Sequence, residues 1–240
     1  MRILVINPNT SEEMTRDIDR EARQYARSDS EIETVCPSWG PRSIEGHYEE
    51  ELAAVAMLEV IRERAAEFDG VVIACYGDPG LAAAREVSPV PVVGIAEASM
   101  LMACMVAHSF SIVTVLRRVK PLLANTVRLH GLEARCASIR TTPLSVLDCE
   151  RDPEAAGREI VKAARLAVAE DGAEAICLGC AGMGPLDKTV EAQVGVPVLD
   201  GVACGVKLLE GLLDYGLSTS RVAAYKEPEP KEIVGYSPVA

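Results

Sequence analysis

Two cysteines stand where a proton could be handed across a substrate. Cys75 ends the apolar run Val71-Val-Ile-Ala-Cys75 and is followed by Tyr76-Gly77-Asp78-Pro79-Gly80. Cys180 ends Ala175-Ile-Cys-Leu-Gly-Cys180 and is followed by Ala181-Gly182-Met183-Gly184-Pro185. Each run reads as a buried strand with a glycine-rich turn at its carboxyl end, the place where parallel α/β sheets bind ligands. Asp78 fits an N-cap and Pro79 a first helical residue, while Pro185 fits the opening of another helix. A sulfur beside such a helix start lies near unsatisfied N–H groups, which favours the thiolate. Two thiols facing one another across a cleft suit racemisation at a carbon acid. A base takes the proton from one face, an acid returns one on the other, and donors hold the oxygen of the planar intermediate. The same positions equally suit small buried residues without chemistry, since free cysteine is among the most buried residue types.

The elements needed to position these thiols alternate along the chain. Ile3–Ile6 reads as a strand, and Thr10-Ser11-Glu12-Glu13 as a capping-box start of a helix to about Arg27. Ile32–Val35 is a second strand, and a Pro- and Gly-rich loop over 36–46 leads into a helix from about Tyr48 to Phe68. Leu52, Val55, Leu58 and Ile61 share helical spacing in it. Strands at Val71–Ala74 and Pro91–Gly94 and a helix from Ala96 to His108 complete a first set. A second set follows: strands at Ser111–Val115, Ala134–Ile139, Ala175–Leu178 and Val196–Leu199, with helices ending at His130, spanning Pro153 to about Glu170, and spanning Val202 to Tyr215. This order predicts parallel sheets. The two cysteines are 105 residues apart, the two Val-Pro-Val triplets 106, and the two first strands 108. The agreement predicts an internal duplication; an accidental echo within one doubly wound sheet is the alternative. The tail after Arg221, carrying Lys226-Glu-Pro-Glu-Pro-Lys231, reads as an extended or partly disordered arm.

Other residues offer weaker signals. Asn7, Asn9 and Thr10 close the first strand and could donate to a ring carbonyl, or serve as turn and cap. The amides of Tyr76, Gly77, Ala181 and Gly182 are candidates to stabilise an oxyanion. Trp39, Ile44, His47 and Tyr48 lie in or beside the long loop, where they could form a lid or substituent pocket or simply pack the loop. Residues 114–120 could form the opposite wall. Cys177 and Cys180 make a formal C-x-x-C, yet Cys177 lies inside a strand, which argues against redox use, and no second pair completes a zinc site. His47, His108 and His130 are scattered, and neither a nucleotide-binding glycine motif nor a confident Ser-His-Asp triad is present.

Composition narrows the field. Among 240 residues, 24 Lys and Arg face 36 Asp and Glu, a net charge of −12, which argues against nucleic-acid and membrane-surface roles. Eight scattered cysteines read as reduced thiols, and the N-terminal run is too short for a signal peptide. With no apolar run near membrane length, a cytoplasmic location is expected.

Val5-Ile-Asn-Pro-Asn-Thr-Ser11, Ala74-Cys-Tyr-Gly-Asp-Pro-Gly-Leu81 and Leu178-Gly-Cys-Ala-Gly-Met183 resemble the hydantoin racemase group of the aspartate/glutamate racemase superfamily over nearly the whole chain. The resemblance implies an α/β fold of two pseudo-symmetric Rossmann-like domains with mainly parallel sheets and the active site in the cleft between them. The first domain would hold 1–97 plus about 208–240, and the second 98–207. It implies a cofactor-independent racemase with Cys75 and Cys180 as catalytic pair, no metal, and Asn9, Thr10, Tyr76, Gly77, Ala181 and Gly182 at the substrate. The substrate would be a 5-substituted hydantoin or the related ureide allantoin, and copies of the chain would associate. Glutamate and aspartate racemases follow their first cysteine with Asn-Thr, whereas Tyr76-Gly77 here fits a neutral ring better. Arylmalonate decarboxylases keep only the second cysteine, so the presence of both argues against that chemistry. A silent ureide- or amino-acid-binding protein, and a thiol redox protein using Cys177 and Cys180, are the readings from other classes.

Overall fold

The computed structural model describes residues 1–234, apart from the side chains at 150, 184 and 185. The first half runs β1 (Arg2–Ile6), α1 (Glu12–Tyr25), β2 (Glu31–Val35), α2 (His47–Arg64), β3 (Gly70–Ile73), α3 (Leu81–Val87), β4 (Val92–Gly94) and α4 (Ile95–Val106). The second half runs β5 (Phe110–Thr114), α5 (Lys120–Leu129), β6 (Cys136–Thr141), α6 (Val146–Arg151), α7 (Pro153–Asp171), β7 (Ala175–Leu178), α8 (Asp187–Val194), β8 (Val198–Leu199) and α9 (Gly201–Asp214). All pairings are parallel, with strand orders β2-β1-β3-β4 and β6-β5-β7-β8. Equal order at near-equal spacing bears out the duplication and the two-unit α/β fold. β3 and β7 are buried along their whole length, as apolar strands covered on both faces should be.

Several local expectations shift. The N-cap of α1 is Ser11, whose side chain accepts from the Met14 amide, because Thr10 is bonded to Pro41 instead. The core face of α2 is Ala53, Met57 and Ile61, while Val55 is exposed; the small alanines let the helix sit close to the sheet. Ser145 and Asp148 form a capping box that starts α6, a helix not anticipated from the sequence. A 3-10 turn, Ala181–Leu186, delays the helix expected at Pro185 until Asp187. The tail is docked in part. Arg221 donates to the carbonyls of Arg85, Glu86 and Ser88, and the Arg85 guanidinium lies 5.7 Å from the Tyr225 ring centroid. The last six residues of that expected arm lie outside the described residues.

The last helix of each half crosses to the other sheet. α4 packs against β7 as well as its own β4, and α9 lies along β3 and β4. A Cβ at Gly70 would fall 2.8 Å from Leu209, and one at Gly205 would fall 3.0 Å from Val72, so these two glycines set how closely α9 approaches β3. We propose a division in which 1–97 and the C-terminal segment form one unit and the residues from 98 the other, with the second unit ending near 200 instead of 207 because α9 joins the first sheet from Gly201.

Candidate active site

Cys75 follows β3 and Cys180 follows β7, and both line one cleft between the halves. The cleft encloses about 550 Å³ of empty space, its open mouth included. From the first half come Asn9, Met14, Ile44 and the segment Ala74–Gly77. From the second come Thr114, Val115, Val119, Leu122, Leu123, Val146 and the segment Gly179–Ala181. The expected wall over 114–120 therefore contributes Thr114, Val115 and Val119. Of the loop residues, only Ile44 reaches the cleft. Trp39 is exposed and donates to Glu59, Tyr48 is exposed, and His47 stands 3.7 Å from Glu50.

The turn after Cys75 departs from the expected helix start. The Asp78 amide donates to the Cys75 carbonyl at 2.9 Å, and Asp78 adopts φ +48, a left-handed conformation uncommon for a residue with a side chain. Helix α3 begins only at Leu81, so Asp78 does not cap it. Its carboxylate instead accepts from the Ala96 and Glu97 amides at 3.0 and 2.8 Å, capping α4 across space. Gly94 leaves room for this, since a Cβ there would stand 2.3 Å from the Asp78 carboxyl carbon.

Cys75 is thus not beside a helix N-terminus, and the expectation of a favoured thiolate fails there. Burial pushes its thiol up to about 12, against which the Gly77 amide, directed at the sulfur, pulls down; nearby Cys180, Glu50 and Asp78 push further up. The Gly77 amide therefore serves the sulfur in this state. Gly77 is also a close-approach glycine, because a Cβ would meet Glu50 Oε1 at 2.5 Å and Leu122 at 3.1 Å. Cys180 leads directly into the 3-10 turn, with the Met183 amide donating to its carbonyl at 3.0 Å.

The other expected residues divide. Asn9 lines the cleft. Its Oδ1 accepts from Asn7 Nδ2 and the Ser11 amide, leaving Nδ2 directed at the Met14 sulfur at 3.2 Å, a weak acceptor. Asn7 is fully buried and spends its amide on Asn9, Ser11 and Thr15, so it holds the loop instead of the ligand. Thr10 does not line the cleft; its amide and hydroxyl both bond to the Pro41 carbonyl. Tyr76 lines the cleft, but its hydroxyl is in the core with Ser99 at 3.0 Å, and burial raises it well above its ordinary value. Ala181 lines the cleft and Gly182 lies just behind it, a Cβ on it standing 3.7 Å from Met14 and 4.0 Å from Cys180 Sγ. Cys177 is fully buried within β7, 3.8 Å from the Ser99 carbonyl, away from the cleft that Cys180 lines.

Sequence reasoning missed Glu50, Met14, Val146, Leu122 and Leu123. Glu50, three residues past the start of α2, is held above the usual carboxylate range by burial beside the Cys75 turn. Leu122 and Leu123 sat in a helix read only for its end, and no periodicity marks which helix face will meet another half. Among the described residues no group of three or more His, Cys, Asp or Glu side chains could hold a metal ion, and no helix is long and apolar enough to cross a membrane.

The profile described as "Asp/Glu/Hydantoin racemase" matches residues 3–209. The chain is 51% identical over 236 residues to the hydantoin racemase of Pseudomonas sp. strain NS671, covering 98% of this chain and 95% of that protein. Among solved structures, the allantoin racemase of Klebsiella pneumoniae superposes with a TM-score of 0.95 at 46% identity, covering 98% and 96% of the two chains. The allantoin racemase of Pseudomonas fluorescens does so with a TM-score of 0.95 at 43%, covering 98% and 100%. Similarity of this extent to racemases on both comparisons sets aside the silent binding protein and makes the chain a racemase acting on a small molecule. It belongs to the Asp/Glu/hydantoin racemase family.

Proposed function

We propose that the chain racemises 5-substituted hydantoins without a cofactor, with Cys75 and Cys180 exchanging the C5 proton on opposite faces of the ring. The observation that carries this reading is the convergence of the two thiols, from the equivalent ends of β3 and β7, on one cleft. One sulfur, as thiolate, accepts the C5 proton; the electron pair moves into the adjacent ring carbonyl; the other thiol then gives its proton to the opposite face. Asn9 Nδ2 and the amides of Tyr76 and Ala181 are the candidate donors for the developing oxyanion, the Gly77 amide being turned to the Cys75 sulfur and the Gly179 amide to the Val113 carbonyl. Ile44, Val115, Val119, Leu122, Leu123 and Val146 form an apolar wall, which favours an apolar C5 substituent over the ureido group of allantoin. Association of copies belongs to the same reading, with exposed Leu101, Met105 and Val106 on α4 as available apolar surface.

The test is polarimetry with solvent deuterium incorporation on Cys75→Ala and Cys180→Ala. Each variant should lose racemisation by on the order of 10³-fold or more. Full racemisation by either defeats the two-thiol mechanism. A panel of 5-benzylhydantoin enantiomers against allantoin enantiomers checks the substrate; faster turnover of allantoin would favour the second reading, which the solved allantoin racemases support.

A further inference from the structure

One stripe of α5 runs along the turn that carries Cys75. Leu122, Thr126 and His130 follow at four-residue spacing. Leu122 stands 3.1 Å from a Cβ position at Gly77, Thr126 Oγ1 donates to the Gly77 carbonyl at 3.5 Å, and His130 Nε2 lies 3.8 Å from Asp78 Oδ2. The N-terminal part of α5 walls the cleft through Leu122 and Leu123, so the helix joins substrate contact at one end to Asp78 at the other.

Two features of this contact are unfinished. The His130 Nε2 atom is buried and without a hydrogen-bond partner, which is costly for a ring nitrogen. Asp78 already holds a strained left-handed backbone through its bonds to the N-terminus of α4, and has lone pairs to spare on Oδ2. An approach of about 1 Å would bring the two into hydrogen-bond range. The other charged groups facing His130 are Glu97 of α4, whose Oε1 lies 3.6 Å from Nδ1, and Arg85 of α3, which pairs with Glu97.

We propose that His130 is a positioning residue for the racemisation: as the cleft closes on substrate, its Nε2–H donates to Asp78 and draws the Cys75 turn into register with the ring carbon. The second half thereby sets the thiol of the first. The proposal rests on Cys75 as a catalytic thiol, and its test separates the two.

Wild type, His130→Gln, His130→Asn and His130→Phe are compared on one enantiomer of 5-benzylhydantoin, with Cys75→Ser alongside. Gln keeps a nitrogen donor near the Nε2 position, Asn only near Nδ1, and Phe neither. Asn and Phe should lower kcat by about 10- to 100-fold with KM within about threefold, while Gln recovers most of that loss. Alkylation by iodoacetamide, resolved by peptide mass spectrometry, should change in rate at Cys75 and stay within about twofold at Cys180. Wild-type kcat in Asn or Phe overturns the pair, as does equal loss in Gln and Asn, which marks packing alone. Should Phe not fold, the contrast of Gln with Asn decides. Racemisation by Cys75→Ser removes the underlying reading, and the proposal with it, independently of any His130 variant.

Discussion

Behind each cysteine turn lies a buried cluster of ionisable groups at the start of a crossed-over helix, and the two clusters are built differently. On the Cys75 side, Asp78 caps α4 and is joined by Glu97, Arg85 and His130, two acids against two bases. On the Cys180 side, Asp200 caps α9 through the Ala203 amide and is joined by Glu21 and Asp187, with Tyr25 donating to Asp187 and Lys188 at its rim. Asp200 stands 106 residues after Gly94, so the cap belongs to the helix's own strand end in one half and is borrowed from the cysteine turn in the other. The first cluster sets the Arg85 guanidinium against Glu97; the second holds three carboxylates together with Lys188 only at its edge. Burial pushes Asp78, Glu21 and Asp200 all up to about 7; at Asp78 the push of Glu97 is opposed by Arg85, whereas at Glu21 and Asp200 the neighbouring carboxylates only add to it. The same architectural position can thus be built around a guanidinium–carboxylate pair or around crowded carboxylates.

The sharpest way to break this contrast is Gly94→Ala. Its backbone suits alanine, so the effect comes from the methyl group striking the Asp78 carboxylate. The variant should lose about 2–3 kcal/mol and lower the thermal midpoint by roughly 5–10 °C, measured by circular dichroism; an unchanged midpoint would show that α4 does not need its borrowed cap.

Glu21→Gln probes the other cluster. Because the folded chain holds the Glu21 proton more tightly than the unfolded chain, its contribution is full below about pH 4.5 and is lost as pH rises through about 7. Wild-type stability should therefore fall between pH 5 and 8 in urea titrations. Glu21→Gln should flatten that fall, gaining roughly 1–2 kcal/mol on wild type at pH 8 relative to pH 5. A parallel pH profile for the two proteins would place the sensitivity elsewhere. The mildest change, Asp200→Gly, copies the residue of the first half into the second and should cost less than about 1 kcal/mol at pH 5, since glycine is itself an acceptable N-cap. A loss as large as that of Gly94→Ala would mean that the two caps are equivalent after all.

Much of this was readable in order along the chain. Buried strands such as Val71–Ala74 announce themselves by composition, parallel pairing by the helix between each pair, and the duplication by matched landmarks. The cysteines were found because strand ends are where this kind of sheet places ligands. What escaped was decided by distant partners. Asp78 looks like a local cap, yet its partners are the amides of residues 96 and 97, and only the fold puts them there. Thr10 looks like a ligand donor until Pro41 takes both its polar groups. Leu122 of the cleft wall comes from a helix read only for its end, and Val146 from a helix that the sequence did not announce. The α2 stripe misled in part for a related reason: of four aliphatic residues at helical spacing Ile61 reaches the core but Val55 is exposed, and alanines, which bury little surface but permit close contact, take the face instead.

The exchange of α4 and α9 between the sheets bears on how the molecule could be taken apart. A polypeptide cut near residue 107 would yield two fragments, each keeping the helix that covers a strand of its partner and losing the one that covers its own, and each left displaying bare apolar side chains. Such pieces should stay soluble only when mixed, reassembling as a two-chain complex. The doubled gene, on this view, encodes one cooperative folding unit and not a pair of linked ones.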